Sequence, residues 1–459
     1  MMQRTSLPLL LLLFVASPLF AQPKSVLTKT QIETAKNLIN SSIESNEGFN
    51  RLTDLVDTFG SRLSGSQGLE DAIDWIAEKM KSDGFDKVWT QPVKVPHWVR
   101  GNESATLILP REKDLPMLGL GGSIGTPKEG IKAEVMVVNS FDELNERSAE
   151  AKGKIVLFNV EFTSYGRTVS YRVNGAIEAS KHGAVASIIS SIASYSIQTP
   201  HTGTMYYQEG TKKIPHAAIT VEDAHMIQRM IDKGDKVVVQ LNMEAETLPD
   251  ADSRNVIAEI TGSEFPDEII VMGGHIDSWD VGQGAMDDGG GCVAAWEALR
   301  LIKETGVRPK RTIRVVLWTN EENGSKGGLE YHRWVKENEK SLDNHVLAIE
   351  SDGGVFDPIG FGFTGSDVAY EMLKEIGTIL EPIESGEVRK GGGGADIAPL
   401  MKDGVPGMGL IVEGEKYFWF HHTDADTIDK LDIEEFNQCV ATMATFAYGV
   451  ADMEMRLPR

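Results

Sequence analysis

Histidine and aspartate stand two residues apart at His275 and Asp277, just after the apolar run 268–272 and the pair Gly273-Gly274. Ionisable groups cost free energy to desolvate, so their crowding at the end of an apolar run points to something bound there. On an extended strand end the two side chains lie on one side, where one can hold a metal while the other orients it. Asp287 follows in the glycine-bearing stretch 282–291, which can fold back sharply and so offers a second hard ligand. Further along come Glu321-Glu322, Asp352 and the cluster His421-His422-Thr423-Asp424-Ala425-Asp426-Thr427. Two histidines and several carboxylates without a thiolate suit zinc or a similar divalent ion, and a carboxylate can bridge two of them. Two such ions about 3.5–4 Å apart share a hydroxide and make it nucleophilic near neutral pH, which is hydrolytic chemistry. The bridging role falls to the residue on the sharply folded loop, Asp287.

The elements that must position these groups are legible in the second half of the chain. Apolar runs at 255–260, 268–272, 312–318, 345–349 and 408–412 alternate with helical patterns at 292–304, 327–336, 367–379 and 433–451. That alternation predicts an α/β fold with a mixed, largely parallel sheet flanked by helices, whose site forms beyond the carboxyl ends of the strands. Each ionisable cluster follows such a run, and four such placements by chance are improbable.

The first half reads differently. Helical periodicity is expected at 29–43 and 70–82, with 59–66 as a surface turn between them. Residues 101–248 form short β-like runs, with strands expected at 154–158 and 186–189 and a helix over 174–181. Histidines 182, 201, 216 and 225 are scattered singly there, so this region is expected to be a β-rich, non-catalytic insert. Residues 22–100 then belong with 249–459 to the catalytic domain, and 249–253 is expected to be a linker back to it.

Arg4 precedes an apolar stretch from Leu7 to Ala16, and Ala21 is a small residue at the expected cut. This is the pattern of a cleaved signal peptide over 1–21, too short for a membrane span, and it implies a secreted or periplasmic protein. Only Cys292 and Cys439 occur, so no disulfide framework holds the fold. The net charge of −23 argues against nucleic acid and anionic membranes as partners. The run Gly391 to Gly394 lacks the Lys-Ser/Thr ending of a phosphate loop and reads as a mobile loop.

Taken in order, Gly-Gly-His-x-Asp-Ser at 273–278, Gly-Ala-Met-Asp-Asp-Gly at 284–289, Asn-Glu-Glu at 320–322, Glu-Ser-Asp at 350–352 and His-Thr-x-x-Asp-Thr at 422–427 resemble the M28 family of co-catalytic zinc peptidases. The resemblance implies two Zn2+ ions, one held by His275 and Asp352, the other by Glu322 and His422, with Asp287 bridging both. It implies Glu321 as general base and Asp277 as the residue fixing the tautomer of His275. Of the adjacent histidines, His422 matches the final motif through Thr423 and Asp426. A cis peptide between Asp287 and Asp288, a protease-associated domain as the insert, a pocket-wall role for Asp396 and a homodimer also follow from the resemblance. The implied activity is an exopeptidase or dipeptidase acting on short peptides. The alternatives are an aminopeptidase on longer peptides, a one-zinc glutaminyl cyclase, and a metal-free receptor-like binding protein.

Overall fold

The computed structural model describes residues 25–338 and 342–459, so the signal-peptide expectation at 1–21 lies outside the described residues. The second-half strands and one strand from the first half assemble into one mixed sheet of eight strands. They are β1 (Lys87–Val99), β2 (Glu246–Ile260), β3 (Phe265–His275), β4 (Arg311–Trp318), β5 (His345–Glu350), β6 (Pro358–Thr364), β7 (Glu387–Lys390) and β8 (Gly407–Val412). Their order across the sheet is β1-β2-β4-β3-β5-β8-β6-β7. The central run β4-β3-β5-β8 is parallel throughout, whereas β1, β2 and β6 join antiparallel. Four parallel strands therefore deliver their carboxyl ends to one edge, where His275, the Glu321-Glu322 pair, Asp352 and the His421-His422 pair emerge.

Both faces of this sheet are covered, as its near-continuous apolar strands require. On β3 and β4, Ile270, Met272, Ile313, Val315 and Leu317 point into the larger core. The intervening Ile269, Val271, Val316 and Trp318 face a second layer with Tyr331 and Leu400. The large core packs the helices Lys29–Glu44, Glu47–Phe59, Gln67–Ser82, Gly290–Glu304 and Ile433–Asp452. Thr28 and Ser66 cap the first and third of these through their side-chain oxygens.

Residues 103–243 supply a second eight-stranded sheet with its own two apolar clusters. Its strands include Ile155–Phe158 and Ala186–Ser190, and the helix Tyr165–Lys181 packs on it. Two expectations are corrected, and one helix is added. Residues 249–253 are no linker: they lie inside β2, where Ala251, Asp252 and Ser253 pair with Val95, Lys94 and Val93 of β1 and residues 249–250 fall at a break in register. An additional helix, Glu47–Phe59, buries Leu52, Leu55 and Val56. The segment 59–66 is no surface turn, since Arg62, Leu63 and Ser64 are buried. Cys292 and Cys439 are both buried free thiols. No helix among the described residues is long and apolar enough to cross a membrane.

Candidate metal centre

His275 ends β3, and its Nδ1 lies 2.9 Å from the backbone carbonyl oxygen of Asp277. A carbonyl only accepts, so Nδ1 carries the proton and Nε2 is the atom left to bind a cation. That Nε2 sits 3.2 Å from Asp287 Oδ1 and 3.2 Å from Asp352 Oδ1. The tautomer is thus set by the backbone of Asp277, whose carboxylate stays 3.8 Å from Nδ1. The carboxylate instead accepts from the backbone N–H of Glu321 at 3.0 Å and of Glu322 at 3.4 Å. The side chain of Asp277 thus meets the Glu321-Glu322 turn, while its main chain meets His275.

Across Asp287, His422 Nε2 lies 3.3 Å from Oδ2 of that residue and 3.0 Å from Glu322 Oε2. His421 Nε2 lies 3.7 Å from the same Asp287 oxygen, and the two imidazoles stack with centroids 3.5 Å apart. His422 is the one that touches both Asp287 and Glu322, at a left-handed φ of 61° that a non-glycine residue adopts under constraint. The constraint comes from the second sheet's side of the molecule. Thr202 N donates to His422 O at 3.0 Å, His422 Nδ1 donates to Thr202 O at 3.3 Å, and His201 Nδ1 donates to His421 O at 2.7 Å. The insert expected to be non-catalytic therefore braces this half of the site, and His201 is part of that brace.

The turn carrying Asp287 is held just as closely. Asp426 accepts from Met286 N at 2.7 Å and from Asp287 N at 3.2 Å. Asp288, joined to Asp287 by a cis peptide, accepts from His275 N and from Gly291 N, both at 3.0 Å. Beneath the turn, Arg62 donates to the carbonyls of Gly60, Ile276, Gln283 and Gly284 at 2.7 to 2.9 Å. Sequence reasoning missed Arg62. Its only signal was an arginine set among small residues in a stretch with no helical or strand period.

The electrostatics follow from burying so many charges together. Burial opposes charge on His275, yet hydrogen bonds to Asp287 and Asp352 outweigh it and raise the ring well above the ordinary imidazole value. Burial likewise opposes charge on His422, but Glu322 and Asp287 push it up to about 10. Burial opposes charge on Asp287 too, but the neighbouring His275 and His422 rings overcome it and hold the carboxyl well below the usual carboxylate range. Burial raises Glu321 well above its ordinary value and Glu322 to about 7, with neighbouring carboxylates adding to both.

The donor set fits divalent cations. His275, Asp287 and Asp352 each offer a ligand atom within 4.8 Å of the others, as do Asp287, His421 and His422. Asp287 belongs to both groups, one oxygen facing each. Asp287 Oδ2 and Glu322 Oε1 are buried and accept no hydrogen bond among the described residues, a costly arrangement that a cation relieves. Imidazole nitrogens and carboxylates without thiolate are the ligand types of zinc. The centre opens into a cavity of about 480 Å³ whose lining includes Tyr165, Arg172, Tyr206, Glu321, Asp352 and Tyr417.

Asp280 stays out of the cluster and instead forms a two-pronged pair with Arg100, Nε to Oδ2 at 2.8 Å and Nη2 to Oδ1 at 2.5 Å. Asp396 is buried behind Glu350, whose carboxylate accepts from Ile397 N at 2.9 Å.

Residues 255–447 match peptidase family M28. The chain is 51% identical over 430 residues to carboxypeptidase Q of Bos taurus and, over the same length, to that of Homo sapiens, covering 93% of this chain and 90% of each relative. The chain belongs to peptidase family M28. A peptidase M28 precursor from Shewanella amazonensis SB2B superposes with a TM-score of 0.89 at 36% identity, over 94% of this chain and 98% of that one. A zinc aminopeptidase from Bacillus subtilis shares the fold at 21% identity, with a TM-score of 0.67 over 89% of this chain and 96% of that one. Every ligand candidate lies inside the M28 match, whereas Arg62, Arg172 and Thr202, which support or line the centre, lie outside it.

Proposed function

We propose that the chain is an exported di-zinc metallopeptidase hydrolysing dipeptides or short peptides, with residues 101–248 as a protease-associated insert. The observation that carries this reading is the placement of Asp287, whose two oxygens each face a separate histidine and carboxylate pair at the floor of the cleft. In this reading His275 and Asp352 hold one zinc, Glu322 and His422 the other, and Asp287 joins them. Zinc bound there supplies Lewis acidity for the scissile carbonyl and acidifies water.

The remaining chemistry belongs to the protein. Glu321 lines the cleft beside the ligand Glu322, so its carboxylate takes a proton from the attacking water and returns it to the leaving nitrogen. Asp277 fixes that turn through the N–H of Glu321. Asp426 and Arg62 hold the Asp287 turn from below. Tyr165, Arg172 and Tyr206 line the cavity of about 480 Å³, a volume that suits a small substrate.

The test is hydrolysis of a dipeptide with free termini, its N-acetylated form and a decapeptide, each with and without chelator. The expected result is fastest turnover of the free dipeptide, lost on chelation and restored by zinc. In Glu321→Ala, turnover falls by about 10²–10⁴-fold while zinc content is kept. Chelator-resistant hydrolysis, or full activity of Glu321→Ala, would overturn the assignment. Preference for the decapeptide would favour an aminopeptidase of long chains.

A further inference from the structure

Arg172 is a charged residue of the cavity lining that the proposed chemistry does not use. It sits on the helix Tyr165–Lys181 of the insert, is only 5% exposed, and is the one Lys or Arg among the residues lining the cavity. A buried guanidinium is costly unless a carboxylate balances it. Its hydrogen-bond partners among the described residues include no carboxylate: Nε donates to Thr204 O at 3.2 Å and Nη2 to Tyr165 Oη at 2.7 Å. Nη1 points toward the ring of His422, 3.5 Å from Nδ1, whose own proton goes to Thr202 O. Of five N–H donors, two are satisfied by these neutral oxygens.

The surroundings hold this group in place. A Cβ at Gly203 would lie 2.3 Å from Nη1, so only glycine lets the backbone run flat against the guanidinium, at a φ of 136°. Tyr165 packs with its ring centroid 5.5 Å from the guanidinium carbon. The result is a rigid, unbalanced cation at the His422 end of the cavity. The same cavity is also lined by the carboxyl groups of Asp352 and Glu321. A peptide with both termini free has the matching polarity, and a guanidinium fork matches a carboxylate in shape as well as charge.

We propose that Arg172 anchors the free α-carboxylate of the substrate, so that the enzyme selects peptides whose carboxyl terminus lies next to the scissile bond. This rests on the peptidase reading above and adds to it the group that sets substrate length. The residue is a substrate anchor and takes no part in bond cleavage.

The experiment compares one dipeptide with its C-terminal amide on the zinc-loaded wild type, Arg172→Lys and Arg172→Met, with zinc content measured for each. The expected wild-type preference for the acid over the amide is at least about tenfold in kcat/KM, the size of one charge-assisted hydrogen bond. In Arg172→Met the acid loses at least about tenfold more than the amide, mainly through KM, and Arg172→Lys recovers part of it. Equal losses on acid and amide, or loss of zinc, would mean that Arg172 acts only by supporting His422, and the proposal fails. A wild type that hydrolyses both substrates equally overturns the anchor even if no variant folds. A wild type inert on both, with zinc bound, overturns instead the peptidase reading on which the anchor rests.

Discussion

Replacing Asp277 by Asn separates two jobs that one residue performs with different atoms. The backbone carbonyl that accepts from His275 Nδ1 is untouched by the substitution, so the His275 ring keeps its orientation. The carboxylate is what changes. It accepts from Glu321 N at 3.0 Å and from Glu322 N and Ser64 Oγ at 3.4 Å each. An amide at this place must turn its NH2 toward one of those donors, losing that acceptor outright, and it brings no negative charge to the other. A hydrogen bond to a charged acceptor contributes about 1.5–3 kcal/mol, and only the 3.0 Å contact is at full strength, so about 2 kcal/mol is lost. At about 1.4 kcal/mol per tenfold this is roughly a thirtyfold drop in kcat/KM, focused on the Glu321-Glu322 turn. The assay is steady-state kinetics combined with anomalous diffraction at the zinc edge, which resolves the two positions. The expected outcome is full occupancy beside His275 and Asp352 and reduced occupancy beside Glu322 and His422. The reverse pattern, loss beside His275 first, would refute the reasoning by showing that the Asp277 carboxylate acts through the imidazole.

Asp280→Ala leaves Arg100 with Glu103 as its remaining acidic partner at 3.3 Å, in a place where both arginine and glutamate are largely buried. Breaking a buried pair costs about 3–5 kcal/mol, and Glu103 offsets part, so we expect about 3 kcal/mol by urea unfolding; a change below about 1 kcal/mol contradicts this. His216 is fully buried and burial presses its pKa down to about 4 against hydrogen bonds that favour its charged form. The unfolded chain takes up that proton near 6.5 and the folded one only near 4, so stability falls as pH drops through this window. His216→Gln should make the slope of unfolding free energy against pH shallower by one proton, about 1.4 kcal/mol per pH unit, and parallel slopes would show that His216 titrates freely.

The catalytic sheet was readable because its strands are buried on both faces and so appear as unbroken apolar runs such as 268–272 and 312–318. The clustered ligand candidates could be found for a related reason: each follows one of those strands, and parallel pairing alone brings their ends together. Position 249–253 misled because Pro249, Asp250 and Ser253 are turn-forming by type, yet the first two sit at a break in register inside a long strand and Ser253 pairs with β1. Arg62 and Ser64 were hidden by the same bias, since small polar residues read as exposed until a loop is seen to be filled by carbonyls needing donors. The brace from Thr202 and His201 to His421 and His422 spans 220 residues of sequence and leaves no periodic trace. The carboxylate of Asp277 illustrates the remaining gap: spacing identifies a residue beside His275, but only geometry tells main chain from side chain.

The central claim is that Asp287 joins two metal positions in one site. Zinc content per chain, measured by plasma mass spectrometry on wild type and Asp287→Asn at equal free zinc, tests it directly. We expect two ions per wild-type chain and the weakening of both positions together in the variant. Two ions in wild type with only one lost in Asp287→Asn would contradict the bridge, and a single ion in wild type would contradict the paired centre itself.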